Sequence, residues 1–98
     1  MINFKHTQKL TKDNIQKVPN STAIIYKIKN PVGKNLYTGI AGRGRAQERL
    51  LEHKELKKEM IPGGTRFQIA QVKNKEIARK IEKQIIKKEQ PKFNDQGK

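Results

Sequence analysis

The sequence predicts a small α/β protein of the α+β type, in which helices flank a three-stranded antiparallel β-sheet. Three observations support this fold class. Two β-branched and aromatic segments surround a turn-rich loop within 23–40, and a third such segment occupies 66–72. Residues 46–60 and 75–89 have the composition and apolar periodicity of helices.

The first 20 residues are polar and carry only a weak helical pattern. Leu10, Asn14 and Val18 recur at helical spacing, and Pro19 ends the pattern. His6 lies in the same polar segment, where we expect it to be exposed. We therefore treat this segment as an N-terminal extension of the domain.

A β-hairpin is the clearest local signal in the chain. Strands at 23–29 and 36–40 flank a loop that contains Asn-Pro and Val-Gly steps. Because side chains alternate along a strand, Ile24, Tyr26 and Ile28 share one face.

A helix predicted over 46–60 follows a flexible basic loop at 42–45, and a Pro-Gly-Gly sequence stops it. Four of its side chains fall on one face by their spacing: Arg49, His53, Leu56 and Met60.

A third strand and a second long helix complete the predicted elements. The strand covers 66–72 and the helix covers 75–89. Asn74 is the expected N-cap, and Glu76 is favourably placed in the first turn. Pro91 forbids continuation of the helix.

Composition limits the classes of function. The chain has 98 residues, so a single domain over 1–98 is expected and multi-domain enzymes are excluded. It contains no cysteine, which excludes disulfides, thiolate nucleophiles and cysteine zinc sites. No apolar run is long enough for a membrane span or a signal peptide, so we expect a cytoplasmic protein.

The charge balance predicts a polyanionic partner. Lys and Arg number 23 against 9 Asp and Glu, which gives a formal net charge of +14. Low hydrophobicity with high charge is also typical of disorder. The charge is spread over segments that carry periodic apolar residues, however, and this favours a folded domain with a basic surface.

One acidic residue departs from the pattern of the last helix. At 100° per residue from Ile81, Ile85 falls at about 40° and Glu82 at about 100°, inside the apolar arc. A carboxylate among apolar neighbours costs free energy unless a cation, a metal or a donor satisfies it. Either Glu82 lies at the rim of the core and pairs with a cation, or it is a functional ligand. The cations of this helix occupy the other side, where water is expected: Lys75, Arg79, Lys80, Lys83 and Lys87.

Four other side chains admit both a structural and a functional interpretation. Tyr26 and Tyr37 could pack with their hydroxyls reaching water, or could direct the hydroxyls at a bound phosphate. Arg49 could be a solvated residue paired with a nearby glutamate. His53 could be a surface histidine, a phosphate donor or a proton carrier.

Together these residues resemble the GIY-YIG nuclease family. The first motif appears as Ile-Ile-Tyr-Lys-Ile at 24–28 and the second as Tyr-Thr-Gly at 37–39. The tyrosines of the two motifs lie 11 residues apart, a separation typical of the family's hairpin. Arg49, followed by His53, is similar to the arginine-bearing helix of the family.

The segment that begins at Glu82 carries the most specific part of the resemblance. Apolar residues follow at +3 and +4, Pro91 stands at +9 and Asn94 at +12, a pattern similar to that of the family's metal-binding glutamate. The resemblance covers residues 23–94. Within the family, this sequence is especially similar to the incision domain of excision-repair nucleases.

Two residues depart from the family pattern. Ile24 stands where the first motif usually has glycine, which narrows the space beside the site. Ile40 stands where several members have a lysine. Arg43, Arg45 or Lys34 is the candidate for the missing cation.

The resemblance implies a DNA endonuclease that uses one divalent ion. Glu82 would bind Mg²⁺ or Mn²⁺ as a single hard oxygen ligand, and one carboxylate fits a single-metal mechanism better than a two-metal clamp. Arg49 would hold the scissile phosphate through its planar fork. The residues expected to contact substrate are Gly39, Arg43, Arg45 and Asn94, with the alternative that Asn94 ties the tail to the hairpin.

The general base would be a tyrosine. Tyr26 is favoured, with Tyr37 as its partner on the phosphate, although the sequence does not rank them. An unperturbed tyrosine has a pKa of about 10, so a cation or metal would have to lower it. His53 would assist proton transfer or contact phosphate.

The alternative is a non-catalytic basic nucleic-acid-binding module with a degenerate nuclease fold, and Ile24 is its best argument. The expected partner is DNA, double-stranded or branched, and no membrane. One active site cuts one strand, so a double-strand break would require a homodimer or successive nicks.

Overall fold

The computed structural model describes residues 3–56 and 60–95, which form a four-stranded antiparallel sheet with three α-helices. The strand order is β1-β4-β2-β3. The α+β class is confirmed, with four strands rather than three. The elements in chain order are β1 Gln8–Lys9, α1 Lys12–Gln16, β2 Ala23–Lys29, β3 Asn35–Ala41, α2 Ala46–Glu55, β4 Arg66–Val72, α3 Lys75–Glu89 and a 3₁₀ helix Lys92–Asp95.

Strand β1 is the element that the sequence did not predict. Its two residues pair with β4, where Gln8 lies opposite Phe67. The preceding chain continues the pairing, because the Lys5 N–H donates to the Ile69 carbonyl at 2.8 Å. A polar two-residue strand has no local signal, since a distant partner along the chain defines it.

Helix α1 is shorter than the pattern from Leu10 to Val18 predicted. Thr11 caps its start, where its side chain accepts a hydrogen bond from the backbone of the first turn. Ile15 is the buried residue of the helix and packs into the core. The N-terminal extension is therefore packed against the domain.

The sheet is covered on both faces. Ile24, Tyr26 and Ile28 of β2 belong to the larger core cluster, which includes residues of α1 and α2. Ala23 and Ile25 point the other way and pack against α3. The predicted alternation along this strand is confirmed, and it places Tyr26 on the same side of the sheet as α2.

Helix α2 ends at Glu55, so the prediction that it continues to Met60 is wrong. Leu56 is extended, with φ −84° and ψ 116°. Leu56 and Met60 therefore do not lie on the helical face that the sequence predicted for them. The predicted helix also covered 57–59, which lie outside the described residues. Ile61 packs against the larger core cluster, so the chain has to leave the helix direction before that residue.

Helix α3 has the bounds that the sequence predicted. Asn74 accepts a hydrogen bond from the Ile77 N–H at 2.9 Å, which confirms the N-cap. Gln90 ends the helix in the left-handed region with φ 48°. Among the described residues, no helix has both the length and the apolar character needed to cross a bilayer.

The C-terminal tail is fastened to β3. The Thr38 N–H donates to Asn94 Oδ1 at 2.7 Å, and Asn94 Nδ2 donates to the Thr38 carbonyl at 2.9 Å. Because β3 is an edge strand, these bonds satisfy backbone groups that would otherwise face solvent. Asn94 therefore ties the tail to the hairpin, one of its two predicted roles.

Candidate active site

Three aromatic rings meet on the side of the sheet that α2 covers. Tyr26 comes from β2, Tyr37 from β3 and His53 from α2. The ring centroids of Tyr26 and Tyr37 are 6.2 Å apart, and those of Tyr26 and His53 are 5.4 Å apart. Tyr37 and His53 are closest, at 4.9 Å. The fold thus brings together three of the residues that the sequence singled out.

A buried hydrogen bond joins two of these rings. The Tyr26 hydroxyl lies 2.7 Å from His53 Nε2, and the two residues are 0% and 4% exposed. The interpretations of His53 as a surface residue and of the Tyr26 hydroxyl as reaching water are therefore wrong. In the histidine tautomer that leaves Nε2 unprotonated, the Tyr26 hydroxyl donates to that nitrogen.

The pKa of Tyr26 is raised well above its ordinary value of about 10. Burial of the phenol is the main cause, and Tyr37 adds to it. Arg49 acts in the opposite direction, while the Glu82 carboxylate raises the pKa further. Free tyrosinate is thus disfavoured, and proton removal from Tyr26 requires an acceptor at the hydroxyl.

Arg49 lies one helical turn before His53 and adjoins the same hydroxyl. Its Nη1 donates to Glu52 Oε1 at 2.5 Å, and it also hydrogen bonds to Tyr26. Burial alone would lower the pKa of Arg49, but the interactions with Tyr26 and Glu52 outweigh it and raise the pKa. The guanidinium remains charged and 29% exposed, so an incoming anion can reach it.

Gly39 provides the space that the tyrosine rings occupy. It lies opposite Tyr26 in the β2–β3 pairing. A Cβ atom at this position would lie 2.5 Å from the Tyr26 hydroxyl oxygen and 2.9 Å from Tyr37 Cε2. Gly39 is needed because any side chain here collides with both tyrosines.

Glu82 is half-buried on α3, on the flank of Ile81 and Ile85, which pack against the smaller core cluster. Its charge is felt at the Tyr26 hydroxyl. Within 3–56 and 60–95, no group of three or more histidine, cysteine or acidic side chains is gathered as a metal cage. One carboxylate is nevertheless suited to Mg²⁺, which keeps several waters and completes its shell with substrate phosphate oxygens.

The three candidate cations are all exposed. Arg43 and Lys34 are exposed, and no described contact joins them to the tyrosines. Arg45 is exposed at the start of α2 and pairs with Glu48.

The two departures from the family motifs have structural explanations. Ile24 is fully buried opposite Ala41, whose small side chain leaves room for the branched one. Ile40 packs on the α3 side of the sheet, against the cluster that contains Ile25 and Val72. Its side chain therefore lies on the opposite face of the sheet from the aromatic rings.

Sequence reasoning missed a polar network behind Tyr37. Asn35 Oδ1 accepts a hydrogen bond from the Tyr37 N–H at 3.2 Å, and Asn35 Nδ2 donates to Thr38 Oγ1 and to Glu89 Oε1. The second oxygen of Glu89 accepts from Lys27 at 3.0 Å. One sequence signal could have indicated this network. Glu89 follows Glu82 by seven residues, so the two carboxylates lie on the same flank of α3.

Two solved structures are similar to this chain. The GIY-YIG N-terminal endonuclease domain of UvrC from Thermotoga maritima, bound to magnesium as its catalytic divalent cation, matches with a TM-score of 0.71 and 26% identity. The match covers 85% of this chain and 93% of that domain. A point mutant of the same domain, bound to its catalytic divalent cation, matches with a TM-score of 0.70 and 26% identity over 84% and 91% of the two chains.

No protein-family model and no curated protein sequence matches the chain. The structural match extends over most of both chains and so is not confined to the motifs. This chain therefore has the fold of the GIY-YIG endonuclease domain and resembles the GIY-YIG nuclease superfamily.

Proposed function

We propose that the protein is a divalent-metal-dependent endonuclease that hydrolyses DNA phosphodiester bonds. The observation that carries the proposal is the 2.7 Å hydrogen bond between the buried Tyr26 hydroxyl and His53, with Arg49 beside it. Any buried tyrosine hydroxyl needs a hydrogen-bond partner; here the partner is an imidazole, a group that can take up a proton, and Arg49 contacts the same hydroxyl. The endonuclease activity of the similar UvrC domain supports the same reaction class.

Tyr26 and His53 act together in activating water. As the water oxygen attacks phosphorus, a water proton moves to the Tyr26 oxygen, and the Tyr26 proton moves to His53 Nε2. This exchange avoids a free tyrosinate, which the raised pKa of Tyr26 disfavours. The histidine becomes an imidazolium, the phosphate gains a hydroxyl, and the departing sugar oxygen takes a proton from solvent. Tyr37 contributes its hydroxyl to the phosphate.

Arg49 and Glu82 handle the charge of the reacting phosphate. The Arg49 fork binds phosphate oxygens, and the Glu52 carboxylate orients it by holding Nη1 at 2.5 Å. Glu82 is the residue that would hold the divalent ion. When bound there, the ion supplies Lewis-acid stabilisation of the negative charge that develops on the phosphate.

DNA, double-stranded or branched, is the proposed substrate. The formal net charge of +14 supports sequence-independent attraction to its phosphates. The magnesium bound by the similar UvrC domain supports Mg²⁺, with Mn²⁺ as a substitute of similar ligand preference. One site of this kind cuts one strand at a time, so a homodimer is required for a concerted double-strand break.

Plasmid cleavage tests the proposal. Supercoiled plasmid is incubated with Mg²⁺ or Mn²⁺, with and without chelator, using wild type, Glu82→Gln and the control Glu76→Gln. Glu76 is an exposed glutamate on the same helix, so its substitution removes the same charge. We expect nicking that chelator abolishes, that Glu82→Gln reduces about 100-fold or more, and that Glu76→Gln leaves within twofold.

Cleavage that survives both the chelator and Glu82→Gln overturns the metal and site assignment. DNA binding without cleavage by wild type, over duplex and branched DNA, supports the non-catalytic binding module instead.

A further inference from the structure

Four cations form a single row along α3. Successive members are four residues apart, so each lies about 6 Å further along the helix axis and about 40° around it. All four are exposed. We call this set the α3 row: Lys75, Arg79, Lys83 and Lys87.

The four cations of the α3 row repel one another, and Glu76, which lines the same surface hollow as Arg79 and Lys83, offsets only part of that repulsion. Like charges at this helical spacing repel each other and destabilise a helix. No described ion pair joins any of the four to an acidic group, since the three ion pairs of the described residues involve Lys27, Arg45 and Arg49. A ligand that carries negative charges at regular intervals removes this repulsion when it binds.

The row adjoins the candidate active site. At 100° per residue, Lys75 lies about 20° and Arg79 about 60° around the helix from Glu82. These two cations are therefore beside Glu82 and not on the other side of the helix, where we expected them. Lys75 is the first member of the α3 row, and its side chain lies 3.9 Å from the position that a Cβ of Gly42 would occupy. Gly42 begins the loop that carries the exposed Arg43. A cationic track therefore runs from the basic loop past Glu82 and along the helix.

We propose that the α3 row binds the sugar-phosphate backbone of double-stranded DNA beyond the cleaved bond. This inference rests on the proposed function, because it assigns the path of the same substrate. The contact is with phosphates and carries no base sequence information. A membrane surface is a poorer partner, since Ala78, Ile81 and Ile85 of α3 pack in the cluster against the sheet and are not available to lipid.

Salt-dependent DNA binding tests the proposal. A fluorescently labelled duplex is titrated in chelator, which separates binding from cleavage, at salt concentrations from about 50 to 200 mM. The test variant is Arg79→Gln/Lys83→Gln. The control variant, Lys5→Gln/Lys9→Gln, removes two exposed lysines along the β1 edge of the sheet, opposite the β3 edge.

Each phosphate contact contributes about 0.9 to the slope of log affinity against log salt. We expect the slope of the test variant to be smaller than that of wild type by about 1.8. Over the fourfold rise in salt, the test variant should therefore lose about 12-fold less affinity for the duplex than wild type loses. The control variant should keep the wild-type slope within about 0.5. In plasmid cleavage, the test variant should raise KM and keep kcat within twofold.

An equal loss of slope in both variants overturns the proposal, because it shows that DNA is attracted by the net positive charge of the whole protein and not by the α3 row. An unchanged slope in the test variant overturns it as well, as does wild type that binds anionic vesicles more tightly than duplex DNA. A test variant that loses slope while wild type fails to cleave supports the row and rejects the nuclease.

Discussion

Replacing Gly39 with alanine places a methyl group against both tyrosines. The new Cβ would lie 2.5 Å from the Tyr26 hydroxyl oxygen and 2.6 Å from its Cζ, so the end of the ring has to move by about 1 Å to reach an ordinary contact distance. A shift of about 1 Å away from His53 would lengthen the 2.7 Å bond to about 3.7 Å, which is beyond hydrogen-bonding range. The substitution therefore changes both packing and chemistry.

The expected magnitudes follow from these contacts. Overpacking a filled interior costs about 1–3 kcal/mol, and loss of the buried hydrogen bond adds about 1 kcal/mol. We expect the free energy of unfolding to fall by about 2–4 kcal/mol. A misplacement of about 1 Å in a catalytic group lowers the rate about 100-fold.

Gly42→Ala is the matched control for Gly39→Ala. A Cβ at Gly42 meets only a flexible lysine side chain at 3.9 Å, so its effect on stability should stay within about 0.5 kcal/mol. Urea unfolding measures the stability of both variants, and single-turnover cleavage of a nicking substrate measures the rate. If Gly39→Ala matches Gly42→Ala in both measurements, the steric argument and the placement of Tyr26 in the reaction are wrong.

Three further outcomes follow from the same structure. Tyr26→Phe keeps the buried ring and removes the proton carrier, so cleavage should fall about 100- to 10,000-fold while anisotropy shows duplex binding unchanged; a rate within twofold of wild type contradicts the proton relay. Asn94→Ala removes both bonds to the Thr38 backbone, so the urea midpoint should drop by the equivalent of about 1–3 kcal/mol and exchange of the Thr38 amide should accelerate. For Glu89, burial alone would raise the pKa, but hydrogen bonds to Asn35 and Lys27 outweigh it and lower the pKa below the ordinary 4.5. Its stabilisation is then complete above pH 4.5 and disappears at lower pH, so the stability advantage of wild type over Glu89→Gln should be present at pH 7 and vanish in acid.

Elements with strong local patterns were predictable. The bounds of α3 followed from Asn74, from the apolar period and from Pro91, all of which act within a few residues. The strand 66–72 was predicted for the same reason, since its β-branched residues alternate between two covered faces.

Elements that depend on distant partners were not predictable in this way. Strand β1 exists because β4 lies beside it, and its own two residues are polar. The early end of α2 has no local breaker before Pro62, and it coincides with the return of Ile61 to the core. In both cases the tertiary structure overrides a weak or absent local preference.

The candidate site also contains features that the sequence predicts and features that depend on the tertiary structure. Residue identities at Tyr26, Tyr37, Arg49 and Glu82 follow a sequence pattern, but the acceptor of the Tyr26 proton depends on how β2 and α2 pack. The sequence suggested that a cation lowers the pKa of Tyr26, whereas burial exceeds the effect of Arg49 and raises it. Burial is a property of the assembled fold, so no local pattern reports it.

The missed polar network explains how two separate parts of the site keep their alignment. Tyr37 lies on β3 and Glu82 on α3, and these elements are joined by apolar packing around Ile40 and by a hydrogen bond between Asn35 and Glu89. Glu89 lies two turns after Glu82 and holds Asn35, which in turn accepts the Tyr37 N–H. A shift of α3 along its axis breaks the contact between Glu89 and Asn35. The helix that carries the candidate metal ligand is thus fixed in register with the strand that carries the second tyrosine.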